Sequence, residues 1–207
     1  YFSASKIKWL LDHCEHPRRL LKQGRLCAGT VDSYLLYKFT GEFATDYTNA
    51  SRTMLFDIRK MCWDNDLCDY FSVSPDILPQ PKPCDARFGV LKTGGADLPV
   101  AGVLGDQQAA LFGQACLHAG EGKITYGTGL FLLFHTGDRC VRPQGGLLST
   151  IGCAVNGKVS YALEGSAFNA GSCVQWLRDG LGFFESSAES ERLARSVENS
   201  GGVYFVP

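Results

Sequence analysis

Three short stretches hold residue types suited to chemistry. In "GVLGDQQAALFGQ" (102–114), Asp106, Gln107 and Gln108 follow a short apolar run, 100–104, that ends in Gly105. The run reads as a buried strand and the segment 107–118 as a helix. Asp106 is then expected at the C-terminal end of a strand, where α/β sheets bind their ligands. A carboxylate there can accept a proton or bind a hydrated cation. The neighbouring amide carries both donors and an acceptor for gripping a hydroxyl. On this stretch alone, helix capping by Asp106 is the simpler role.

"TYGTG" (125–129) flanks Thr128 with two glycines. Such a turn can present backbone N–H groups to an anion, with the Thr128 hydroxyl as a further donor. An ordinary glycine hairpin is the plainer alternative, and no Walker A pattern occurs anywhere in the chain. In "ALEGSAFNAGSCVQW" (162–176), Gly171 falls inside a helical pattern, with Gln175 one turn later. A glycine in that position signals close packing or something lying against the backbone.

The elements that must position these residues are legible from periodicity. Ile7, Leu10, Leu11 and Cys14 predict a helix over 3–15, with Ser3 or Ser5 as cap. Pro17 and Gly24 bracket a second short helix. Thr30 and Gly41 bracket a third, with Val31, Leu35 and Phe39 on one face. "DYTNASRT" (46–53) is polar and turn-rich, and 64–71 suits another short helix. Residues 75–99, with five prolines, read as an irregular extended connection. After Gln114 the character changes to hairpins: strand, glycine turn, strand over 123–137, then two runs joined by Asn156-Gly157, a strong hairpin signal. Val159, Tyr161 and Leu163 alternate with Ser160, Ala162 and Glu164, which predicts one covered face. A helix follows with Phe168, Val174 and Leu177 along one side. "GGVYFVP" closes the chain as a strand. A domain boundary is expected near 114–120.

The bulk numbers fit an α/β protein. A chain of 207 residues with 45% hydrophobic and 20% charged residues can bury a sizeable core, and 24 glycines favour many tight turns. A net charge of −1 gives no long-range attraction for nucleic acid. No membrane span or signal peptide is visible. Nine cysteines without C-x-x-C spacing argue against a zinc site or disulfide framework, and predict reduced, mostly buried cytosolic thiols. The chain starts at Tyr1, not Met, which suggests processing or a piece of something longer.

Taken together, "YFSASKIKW", "GTVDSYLLYKFTG", "TDYTNASRTMLFDI", "GDQQAALFGQ", "TYGTG", "YALEGSAFNAG" and "QWLRD" resemble the FGGY carbohydrate kinase family, and within it the glycerol-phosphorylating branch. The resemblance runs from Tyr1 to Pro207. It implies a ribonuclease H-like, actin/hexokinase-type ATPase fold with parts of two domains flanking a cleft. Residues 1–114 would be the end of the N-terminal, glycerol-side domain, and 115–207 the start of the C-terminal, ATP-side domain. It implies phosphorylation of glycerol to sn-glycerol 3-phosphate by ATP and Mg²⁺, with Asp106 as general base. Tyr1, Asp106, Gln107 and Phe131 would contact glycerol. Thr128 would bind the nucleotide phosphates, and Gly171 and Gln175 would bind ATP or ADP. The full-length protein would be a cytoplasmic homo-oligomer, a dimer or tetramer, with no nucleic-acid partner.

The departures carry expectations of their own. Family members continue on both sides, so the isolated chain is expected to lack efficient kinase activity. "KTGGADLP" (92–99) occupies the place of a fructose 1,6-bisphosphate loop found in some bacterial members, with Asp97 where they have arginine. An acid does not grip a phosphate, so that regulation is not expected. The alternatives are a kinase for another polyol or sugar of the same family, and a truncated, non-catalytic nucleotide- or polyol-binding module.

Overall fold

The computed structural model describes residues 2–206. The first half is mainly helical: α1 (Ser3–His13), α2 (Glu15–Lys22), α3 (Val31–Thr40), the single turn α4 (Tyr47–Ala50), α5 (Asn65–Phe71) and α6 (Asp106–Gly113). Short strands lie between them. β1 (Ala44–Asp46) pairs in parallel with β4 (Gln80–Lys82), while β2 (Phe56–Asp57) with β3 (Cys62–Trp63), and β5 (Val90–Thr93) with β6 (Ala96–Pro99), form small antiparallel ribbons. The second half is an antiparallel sheet in the order β7 (Gly122–Tyr126), β8 (Leu130–Gly137), β10 (Lys158–Ala167), β9 (Leu148–Val155). Helices α7 (Gly171–Asp179) and α8 (Ser187–Arg195) follow.

Local chemistry sets the element ends. Asp64 caps α5 by accepting from Leu67 N at 3.0 Å, and Gly41 ends α3 in the left-handed region at φ 80°. Asn156 and Gly157 take φ 53° and 71° between β9 and β10, the geometry of a primed two-residue turn that matches strand twist.

The core runs through both halves. Ala4, Leu55, Cys68, Val73 and Ile77 pack together between α1 and α5. Ala50 and Phe56 meet Ile151 and Tyr161, so α4 and β2 lie against β9 and β10. Ser51 and Thr150 hydroxyls share a hydrogen bond at 3.1 Å across that contact. Tyr161 donates its hydroxyl to the Ile58 carbonyl at 3.0 Å.

Several sequence expectations are corrected. Residues 100–104 form no strand. Ala101 and Gly102 are exposed, and the segment is tied by single bonds such as Val103 N to Cys84 O at 3.0 Å. A run with glycine at its centre has too little to bury on either face. Helix α6 stops at Gly113, because Ala115 turns into positive φ at 57°. Neither Ser3 nor Ser5 caps α1; Phe2 holds the cap position, and Ser3 is already helical. Thr30 holds the cap position of α3 without making a cap bond, because its hydroxyl turns to Asp32. The proline-rich 75–99 contains β4 and the β5–β6 hairpin. The 46–53 stretch contains a capped helical turn. Both Tyr161 and Ala162 are buried, as is Glu164, because bulges at 160–162 break the alternation in β10. Phe168 lies outside α7 and is exposed. The closing residues 203–206 form no strand. Of the nine cysteines, only Cys68, Cys84 and Cys153 are buried, and all nine are free thiols.

Candidate active site

Asp46 is the foundation. It ends β1, is fully buried, and receives five donors. Thr48 N at 2.8 Å and Thr48 Oγ1 at 2.6 Å reach Oδ2. Asn49 N at 3.1 Å and Nδ2 at 2.7 Å reach Oδ1, and Cys84 Sγ donates to Oδ2 at 3.2 Å. Its hydrogen bond with Cys153, reinforced by burial, pushes the Cys84 thiol up, so it stays a protonated donor. The Thr48 hydroxyl, oriented by Asp46, accepts from Gly105 N at 2.8 Å. That bond fixes the residue immediately before Asp106.

Asp106 is therefore set by a helix start rather than by a strand end. Gly105 occupies the cap position and Asp106 is the first helical residue, so the capping role suggested by its residue type is not the one it plays. Its exposed carboxylate accepts from Gln107 N at 2.8 Å and from Gln107 Nε2 at 3.2 Å. Gln108 faces the other way: it is buried, with Nε2 3.5 Å from Thr150 Oγ1. The two amides thus part company, one to the pocket and one to the core.

Around Asp106 lies a cavity of about 260 Å³, with Phe2, Asn49, Gln107, Phe131 and Glu164 on its walls. Charges of both signs line or adjoin it: Asp106, Arg52 and Glu164 on the walls and Lys123 behind Gln107. Arg52 Nη2 meets Glu164 Oε1 at 2.8 Å, with its guanidinium 4.8 Å from the centre of the Phe2 ring. Lys123, also buried, donates from Nζ to Gln107 Oε1 and to Thr125 Oγ1, the latter at 2.7 Å. Burial pulls the Lys123 ammonium below its ordinary range, opposed by the charges of Asp106 and Glu164. Arg52, Asn49, Lys123 and Glu164 escaped the sequence reading. Lys123 left a signal, because β7 is inverted: Lys123 and Thr125 point inward while Ile124 and Tyr126 are exposed.

The second group assembles at the β7–β8 turn. The Thr128 carbonyl accepts from Ala170 N at 2.8 Å, Ser172 N at 3.3 Å and Ser172 Oγ at 3.1 Å, and the Gly127 carbonyl accepts from Gly171 N at 2.9 Å. The turn therefore caps α7. Gly171 is the first residue of that helix, not an interior one. A Cβ there would sit 2.6 Å from the Gly127 oxygen, which is why the close-packing reading of this glycine holds. The structure brings Thr128 and Gly171 together, with Gln175 one turn along α7, and it brings Asp106, Gln107 and Phe131 together on one cavity. Tyr1 lies outside the described residues.

Residues 1–113 match the N-terminal domain of the FGGY family of carbohydrate kinases. The chain belongs to the FGGY family of carbohydrate kinases. Over its whole length it is 52% identical to glycerol kinase of Thermococcus onnurineus and 50% identical to glycerol kinase of Pseudomonas syringae pv. tomato, covering 42% and 41% of those proteins. The crystal structure of Plasmodium falciparum glycerol kinase with ADP superposes with a TM-score of 0.91 at 39% identity, over 100% of this chain and 42% of that one. Xylulose kinase from Rhodospirillum rubrum shares the fold, with a TM-score of 0.76 at 19% identity over 97% of this chain and 41% of that one. This FGGY chain thus spans about two-fifths of the length of the relatives it matches. Its mixed α/β architecture is that of the actin/hexokinase-like sugar kinases. Among the described residues, no helix is long and apolar enough to cross a membrane.

Proposed function

We propose that the complete protein carrying this chain phosphorylates glycerol to sn-glycerol 3-phosphate, with Mg-ATP as donor. The observation that carries the reading is the 52% identity, over the whole chain, to a glycerol kinase. The cavity at Asp106 supports it. Asp106 is the general base that takes the proton of the terminal hydroxyl. Gln107 hydrogen-bonds a glycerol hydroxyl, Phe131 lines the carbon backbone, and Tyr1 is the further glycerol contact. Thr128 binds the nucleotide phosphates, and Gly171 and Gln175 complete the ATP or ADP contacts. Residues 1–114 belong to the glycerol side and 115–207 to the ATP side.

The chemistry suits these residue types. Phosphoryl transfer has a loose transition state, so positioning and charge stabilisation do most of the work. The proton leaves late, and a carboxylate suffices as base. Mg²⁺, bound with ATP, would be held chiefly by phosphate oxygens and water and would offset the charge of the transferring group. A cytoplasmic homo-oligomer is the expected working form.

The test is glycerol-dependent ADP release by the complete protein, beside Asp106→Asn. Loss of a positioned general base is expected to lower kcat by about 10²–10⁴-fold, with the fold intact by circular dichroism. Absence of turnover on glycerol from folded wild-type protein overturns the glycerol reading. Full activity of Asp106→Asn overturns the base assignment.

A further inference from the structure

We propose that Lys123 is the positioning residue of this site, a donor-only ammonium that seizes Gln107 by Oε1 and so dictates which end of the amide meets the substrate. The inference rests on the glycerol-site reading of Gln107 and Asp106 and adds to it the residue that orients them.

A glutamine amide is nearly symmetric in shape, and its oxygen and nitrogen exchange places by a simple flip. What selects one orientation is the partner. Lys123 is 2% exposed, so its ammonium finds partners within the protein. It has donors and no lone pair. Thr125 Oγ1 takes one N–H at 2.7 Å, and Gln107 Oε1 takes another. If the amide flipped, Nε2 would face Nζ, donor against donor, and a buried cation would lose an acceptor, a cost typical of unsatisfied charged groups. Oε1 is therefore committed, and Nε2 is turned towards Asp106 Oδ2, 3.2 Å away.

This has a consequence for recognition. The cavity then offers one donor, Gln107 Nε2, beside one acceptor, the Asp106 carboxylate. A hydroxyl group satisfies both at once, since its oxygen accepts while its proton is donated. A flipped amide would present two acceptors, which repel the hydroxyl oxygen that must be aligned for transfer. Lys123 thus acts through Gln107, on β7 rather than on α6, and joins the sheet of the second half to the helix that bears Asp106. Its neighbours on β7, Ile124 and Tyr126, point to solvent.

The experiment is a double-mutant cycle in the complete protein, with Lys123→Met in wild-type and Gln107→Ala backgrounds. In the wild-type background, KM for glycerol is expected to rise about tenfold or more, with a fall in kcat. In the Gln107→Ala background, the same substitution is expected to change kcat/KM less than about threefold, because interacting residues are non-additive. Equal effects in both backgrounds, or an unchanged KM with less active enzyme, would overturn the proposal in favour of a purely structural lysine. If Lys123→Met does not fold, Thr125→Val takes its place, with a smaller KM rise in the same direction and the same loss of effect with Gln107→Ala. A substrate-free arm follows the Gln107 side-chain amide by NMR. One exchange-protected amide in the wild type, lost in the folded variant, supports Lys123 whichever polyol is phosphorylated; an amide that is unprotected in the wild type, or unchanged in the variant, sinks it. Failure of wild type on glycerol alone touches only the substrate reading.

Discussion

The two halves of the candidate site are held by different means. On the Asp46–Asp106 side, a buried local link, Asp46 to Thr48, is continued by two that reach across the fold: Thr48 to Gly105, buried, and Arg52 to Glu164, partly buried. On the Thr128–Gly171 side, the turn and α7 are joined by a few backbone bonds, and neither α7 nor α8 contains a buried residue. Trp176, Leu181, Phe183, Leu193 and Tyr204 are all exposed in this chain. Ion pairs there, such as Arg195 with Glu191, lie in solvent, where they contribute little. Within this chain, Asp106 is therefore fixed through the core, whereas Thr128 is joined to α7 through one turn. Each can be damaged without the other.

The largest effect is expected at Asp46. Asp46→Ala strips five donors of their acceptor in a dry site. A loss of about 3 kcal/mol or more is expected, seen as an earlier denaturant midpoint with the m-value unchanged. A midpoint within experimental error of wild type would dissolve the contrast between the halves.

A smaller, local effect is expected at Gly171. An alanine Cβ would lie 2.6 Å from the Gly127 oxygen, so the turn and the helix must separate. The cost is about 1–3 kcal/mol, spent on docking rather than on the core. Hydrogen exchange should lose protection at Gly171 and Ser172 while the β9–β10 amides keep theirs. Equal loss at both places would mean that the two halves share one cooperative unit.

The smallest effect belongs to pH. His135 is buried on β8, and its Nδ1 accepts from Gly137 N at 3.0 Å, which needs the neutral ring. Burial pulls its pKa below 6.5, Glu121 opposes this, and His118 adds to it. A depressed folded pKa contributes stability above the unfolded value that is lost as pH falls through the folded one. Wild type should therefore lose stability below pH 6.5 more steeply than His135→Gln. Parallel melting curves for the two proteins across that range would remove His135 from the account.

What the sequence made legible follows from how local each signal is. Gly41 as stop and Asn156-Gly157 as hairpin act within a few residues, and the structure has them there; the short helix expected over 64–71 forms as α5, with Asp64 as its cap. The 100–104 run looked like a strand because Val100, Val103 and Leu104 are apolar. Strand identity needs a continuous ladder, and this run makes only scattered bonds, to Phe88, Gly89 and Cys84. The pattern before Gly171 looks helical and predicts an interior position; the chain instead turns at 168–170, where Ala170 N donates to the Thr128 carbonyl. Lys123 and Glu164 were invisible as site residues because a charge in a strand is ordinarily a solvated one. Only the outward Ile124 and Tyr126 betray that this strand faces the other way.

The hydrogen bond from Gly105 to Thr48 also has a temporal meaning. It spans 57 residues, Ser51 to Thr150 spans 99, and Arg52 to Glu164 spans 112. Such distant closures pay their loop entropy before they return any contact, so they form late on the folding path. A nascent chain that has just passed Asp106 carries the carboxylate without its cavity, and stays so until Glu164 has emerged.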